Sequence, residues 1–192
     1  IIQSKLPKFV TALVTIEDIE KLSLMPEVIS VVASDYDSLN NDVSRAQSGA
    51  NLLQEGFLNN TKYTGTGVLV GIYDTGIDWK HLDFRNPIDS KKSRIISIWD
   101  QTITPTGLES SPSGFSYGVE YTKAHIEDEI DGSPSNFVRE SDTNGHGSHV
   151  SGTLAGNGAS LSDKRHKGFA PDADIVFVKG GNGSFPTSNT ID

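Results

Sequence analysis

Two short stretches hold the residue types that can do chemistry. Val68-Leu-Val-Gly-Ile-Tyr-Asp-Thr-Gly-Ile-Asp78 ends an apolar run on a carboxylate, Asp74, at a Thr-Gly turn. Asn144-Gly-His-Gly-Ser-His-Val-Ser-Gly-Thr153 places His146 at the head of a run of small residues. In open α/β sheets, sites form at the carboxyl ends of strands, which is where Asp74 falls. Small residues let a helix lie close to its neighbours, so a histidine at its start can be met by a group from another element. An aspartate that orients an imidazole, and an imidazole that takes a proton from a nucleophile, is the chemistry this pair suits. Asp-Thr-Gly is also common turn chemistry, so Asp74 alone is equally a turn residue.

A second chemistry is open to the same residues. His146 and His149 are three apart and share a helical face, so with Asp74 they could ligate a metal. The glutamate of a His-Glu-x-x-His metal site is absent, and Gly147 stands in its place. His149 otherwise reads as a histidine of the core.

The elements that must position these residues follow from pattern. Val68 to Tyr73 is apolar on both faces, as a buried parallel strand would be. Gly147 to Ala155 reads as a helix and Ala173 to Lys179 as another buried strand, a strand–helix–strand order that implies a parallel crossover. Arg94 to Trp99 reads as a strand, 104–118 as a Pro/Gly/Ser loop, and Tyr121 to Ile130 as a helix capped by Thr122. Residues 131–142 read as polar loop and 46–57 as a short helix. Ser188 to Asp192 reads as the start of another.

Ahead of this lies a smaller zone. Phe9 to Thr15 and Glu27 to Ala33 read as strands, with a helix between them that sets Ile16, Ile19 and Leu22 on one face and closes at Pro26. A polar stretch, 34–48, follows as an extended linker. The expected fold is α/β, a parallel sheet flanked by helices, preceded by a small α+β piece. The expected division is 1–36 and 37–192.

Composition narrows the function. The net charge of −9 argues against nucleic acid, which needs a basic footprint. There is no cysteine, so neither a disulfide framework nor a thiolate metal site is available. No run approaches the roughly 18 apolar residues of a membrane span. Nineteen glycines suit a fold of tight turns and close backbone contacts.

The two motifs resemble those of subtilisin-like serine proteases. Asp74-Thr-Gly-Ile-Asp78 is similar to the family's aspartate motif, His146-Gly-Ser-His-Val-Ser-Gly-Thr153 to its histidine motif, and the order Asp then His is the subtilisin order. Ser148 and Ser151 stand where threonine and alanine are more usual. His81-Leu-Asp-Phe84 and Gly168-Phe-Ala-Pro171 resemble neighbouring segments of the family.

The resemblance implies a serine endopeptidase acting on proteins or peptides, with Asp74 and His146 as two members of an Asp-His-Ser triad. The family's Gly-Thr-Ser-x-Ala serine motif does not occur in the sequence. The expectation is therefore an N-terminal portion, inactive alone, whose partner is the remainder of the peptidase domain. A pseudoenzyme or binding module without the serine is the alternative.

The first zone resembles the second half of a subtilase propeptide. This implies a zymogen cut between about Asp35 and Asp42. The resemblance requires no cofactor, admits calcium at Asp83, and implies a bacterial protein of the cell exterior or envelope.

Overall fold

A computed structural model of the chain describes residues 2–5, 10–12, 14–29, 31 and 41–182. The chain divides into two compact units, Ile1–Leu39 and Asn40–Asp192.

In the first unit, strands β1 (Ile2–Lys5) and β2 (Val10–Ala12) pair antiparallel. Helix α1 (Ile16–Ser23) follows. Thr15 opens it, with its hydroxyl donating to Asp18 at 2.9 Å. Of the first expected strand, 10–12 form β2 and 14–15 lie outside it, while 9 and 13 lie outside the described residues. The second is corrected: of residues 27–33, the described ones, 27–29 and 31, form turn, bend and irregular backbone rather than strand.

The second unit opens with helices α2 (Asn41–Gln47) and α3 (Ala50–Glu55). The expected extended linker is thus helical over 41–47, and residues 34–40 of it lie outside the described residues. Arg45 explains the helix. Its guanidinium is buried and donates to the Arg165 carbonyl at 2.6 Å and to Gln54 at 3.3 Å, tying α2 to α3 and to the 165 loop.

Four strands form the main sheet: β3 (Leu69–Asp74), β4 (Ile95–Asp100), β5 (Val119–Thr122) and β6 (Asp174–Lys179). Their order is β3-β6-β4-β5. The β6 strand is parallel to both β3 and β4, while β5 adds antiparallel at the edge. The fold is α/β, with a mixed sheet in place of an all-parallel one.

Helices α4 (Lys123–Ile130) and α5 (His146–Ala155) pack on this sheet. The core gathers Ile72, Ile95, Ile98, Tyr121, Ile126 and Phe177. Thr122 caps α4: its hydroxyl accepts from the His125 N–H, and His125 Nδ1 accepts from the Thr122 N–H. The reading of β3 as buried on both faces is corrected. Ile72 is buried, but Leu69 and Tyr73, on the opposite face by alternation, are 60% and 68% exposed. The strand lies at the edge of the described sheet, where one face receives less cover.

Parallel pairing sets the site. Asp74 and Lys179 are opposite one another at the ends of β3 and β6, and Asp100 faces Lys179 from β4. Three charged side chains therefore leave the sheet at one rim.

Candidate active site

Asp74 closes β3, and the chain turns at once through Thr75 and Gly76. His146 is the first residue of α5, entered through Gly145 in a left-handed conformation. The two side chains meet, with His146 Nδ1 2.7 Å from Asp74 Oδ1. An ionised carboxylate only accepts, so Nδ1 carries the proton and Nε2 keeps its lone pair for an incoming one. Burial alone would raise the Asp74 pKa. The hydrogen bonds from His146 and from the Thr75 N–H outweigh it and hold the carboxyl below its usual range. The histidine side chain is 63% exposed, so the imidazole stands at the surface with its inner nitrogen anchored.

Close backbone contact brings the two motifs together. A Cβ built on Gly147 would lie 2.1 Å from the Gly76 carbonyl oxygen, so only glycine lets α5 approach the turn this closely. The Gly147 N–H donates to the Thr75 hydroxyl at 3.0 Å. This also explains the glycine found where a metal site of the His-Glu-x-x-His kind needs glutamate: no larger side chain fits. His149 does not join the pair. It is exposed, because Gly147, Ser151 and Ala155 form the buried stripe of α5 and His149 falls outside it. The expectation of a core histidine is corrected on that ground.

Asp142 binds the two motifs into one object. Its Oδ1 accepts from the Thr75 hydroxyl and from the Gly145 N–H, and its Oδ2 accepts from the Ser148 N–H at 2.8 Å. Ser148 Oγ in turn accepts from the Asp78 N–H at 2.8 Å. Ser148 is thus committed to a structural bond.

Residues 65–192 match the Subtilase family. The chain belongs to the subtilase family. It is 31% identical over 133 residues to the minor extracellular protease Vpr of Bacillus subtilis, covering 67% of this chain and 12% of that protein. It is 32% identical over 115 residues to an intracellular serine protease of Paenibacillus polymyxa, covering 60% and 24%. The structure of the Clostridium perfringens CspB protease is similar with a TM-score of 0.53 and 32% identity, covering 72% of this chain and 26% of that one. The chain therefore spans about a quarter or less of the length of these relatives.

In this subtilase chain the approach to His146 is shaped by three carboxylates, of which Glu140 and Asp142 lie in the stretch read as polar loop and Glu129 in the expected helix. Glu129, at the end of α4, accepts from the Asn136 and Val138 N–H groups. Glu140 accepts from the Ile77 N–H at 3.0 Å. Asp142 then receives the start of α5. Each turns an irregular backbone toward an acceptor, which is how a long connection stays ordered. Farther out, Glu109 accepts from Arg139 at 2.6 Å and from the Tyr121 hydroxyl at 2.6 Å, fastening the 101–118 loop to the same connection. For Glu140 and Asp142 the advance signal was a carboxylate within a few positions of a Gly-His motif; Glu109 and Glu129 carried none.

Asp83 is the position at which the resemblance admits calcium. Its Oδ1 accepts from the Ser160 N–H at 2.8 Å, and Asn157 Oδ1 is taken by the Ala159 N–H. No group of three or more His, Cys, Asp or Glu able to hold a metal occurs among the described residues.

Proposed function

We propose that the protein is a serine endopeptidase in which Asp74 orients His146, and His146 is the general base toward a serine outside these 192 residues. The observation that carries this reading is the 2.7 Å bond between Nδ1 and the carboxylate, in a chain of the subtilase family. Such a bond fixes the tautomer and stabilises the imidazolium formed when Nε2 takes the serine proton. The substrates are proteins or peptides, and the remainder of the peptidase domain is the structural partner. We place the protein outside the cell or in the cell envelope, following extracellular Vpr, although the Paenibacillus relative is named intracellular. No helix among the described residues is long and apolar enough to cross a membrane.

A binding module without catalysis would have no need of the Asp74–His146 bond or of the glycine contact that makes it, so the peptidase reading is favoured. Peptide hydrolysis by the longer parent protein tests it. His146→Ala is expected to lower turnover by roughly 10⁴-fold or more. Near-normal turnover in the variant would remove His146 from the role of base. The 192-residue chain alone is expected to show no hydrolysis, because an imidazole and a carboxylate without a nucleophile cannot form an acyl-enzyme.

Residues 1–36 are read as propeptide. N-terminal sequencing of the mature parent should find a start between about Asp35 and Asp42, lost in His146→Ala. A fully active protein that retains 9–35 would refute it.

A further inference from the structure

The site contains a buried acid that the Asp74–His146 chemistry does not use. Glu140 is 3% exposed. Its Oε1 accepts from the Ile77 N–H, and its backbone carbonyl accepts from the Trp79 indole N–H at 3.1 Å. The same residue fills the space under Gly76. That glycine has a φ of +137°, and a Cβ there would stand 2.8 Å from Glu140 Oε1. Glu140 therefore touches or bonds the three residues Gly76, Ile77 and Trp79, within five positions of Asp74. Its second oxygen, Oε2, is buried with no hydrogen-bond partner.

We propose that Glu140 is a positioning residue for the Asp74–His146 pair, its carboxyl fixing the turn from which Asp74 reaches the imidazole. The proposal rests on reading these two residues as the orienting carboxylate and the base. The connection from Glu140 to His146 is short and fastened at both ends. Glu140 holds the aspartate turn, and Asp142, two residues on, holds both Thr75 and the start of α5.

The charge state of Glu140 follows from its surroundings. The groups around it are Lys179 at the end of β6, Asp100 at the end of β4, Asp142 on its own segment, and Asp74 beyond the turn. Lys179 Nζ is spent on the Ser141 carbonyl at 2.5 Å, and Asp100 accepts from the Thr102 N–H and hydroxyl. The Glu140 carboxyl thus has no cation bonded to it. Burial pushes it up to about 8, against the pull of the Ile77 N–H and of Lys179. A neutral acid with one oxygen on an amide and a lone buried hydroxyl is tolerable, whereas an anion with a bare oxygen there is costly. Ionisation strengthens the bond from the Ile77 N–H while it charges a buried oxygen that has no partner, and that change at the Gly76 turn should be felt at His146.

Nuclear magnetic resonance on the full 192-residue chain tests this without reading peptidase activity, so the result stands or falls apart from the proposed function. The Glu140 carboxyl carbon, the Ile77 amide and the His146 ring are followed from about pH 5 to about pH 10. The expected result is that all three carry an inflection near the Glu140 midpoint. In Glu140→Gln, whose amide oxygen still accepts from Ile77, that inflection should vanish from Ile77 and His146 while their low-pH shifts persist. In Glu140→Ala the low-pH shifts themselves should be lost. His146 curves that are the same in wild type and Glu140→Gln would overturn the proposal. So would a wild-type Glu140 titration that leaves Ile77 and His146 unmoved, an outcome readable even if a variant fails to fold.

Discussion

The Thr75 hydroxyl donates to Asp142 Oδ1 at 3.0 Å, across 67 positions of sequence. The same oxygen accepts from the Gly147 N–H. One hydroxyl thus joins the aspartate turn, the 142 segment and the first turn of α5. Thr75→Val keeps the shape and removes both bonds, leaving the Gly147 amide without its partner and Asp142 Oδ1 with one donor fewer. The expected cost is about 1–3 kcal/mol in chemical unfolding. Thr75→Ser should restore most of it.

Gly147→Ala should be worse than its one added methyl suggests. The new Cβ would collide with backbone, the Gly76 carbonyl, which has no flexible end to give way. The helix must retreat, and the Nδ1–Oδ1 bond should break. The low-field Nδ1 proton of His146 is the reporter: present in wild type, absent in the variant. A variant that keeps it would show that the contact is not what sets the pair.

Ser151 offers a gain. It is fully buried in α5, and its hydroxyl has no hydrogen-bond partner. Ser151→Ala removes an unpaired polar group and improves helix propensity, for an expected gain of about 1–2 kcal/mol. For a domain of this size that is a rise in melting temperature of a few degrees, roughly 2–8 °C. Unchanged or lower melting would mean the hydroxyl is satisfied in solution.

Acid should weaken the fold through Glu109. Hydrogen bonds from Arg139 first, and from Tyr121 and Thr106, lower its carboxyl to about 2 against the opposing effect of burial. The unfolded chain binds this proton near 4.5. Between the two values the unfolded state holds more protons, so stability is complete above about 4.5 and drains away toward 2. Glu140 has the opposite sign, since its folded pKa is raised. Its contribution is greatest below the ordinary carboxylate range and declines as pH climbs to about 8. Melting temperature against pH should lose part of its acid slope in Glu109→Gln and part of its neutral-to-alkaline slope in Glu140→Gln.

Much of this was legible before any coordinates. Strands β3 and β6 and helix α5 announce themselves by apolar runs and by a dense run of small residues, and Thr122 marks the start of α4 to the residue. The Asp74–His146 pair was readable for the same reason: each residue sits at the end of an element whose pattern is plain. What stayed hidden depends on tertiary partners. Helix α2 carries two apolar residues, Val43 and Ala46, and owes its place to Arg45 and a carbonyl 120 positions away. Strand β5 is four residues long and abuts a loop and a helix. Glu140 and Asp142 look like solvated loop until the amides they collect are seen. His149 lies near the edge of the buried stripe of α5, and pattern alone could not say which side of that edge it takes.

The stretch from Glu140 to His146 is anchored at Ile77 by one end and at Asp74 by the other, with Asp142 pinned between. Such a stretch works as a ruler. Its composition can drift where side chains face solvent, as at exposed Thr143. Its count of residues cannot, because adding or deleting one would put both anchors out of step at once. The latitude for change in this part of the chain lies in the letters and not in the length.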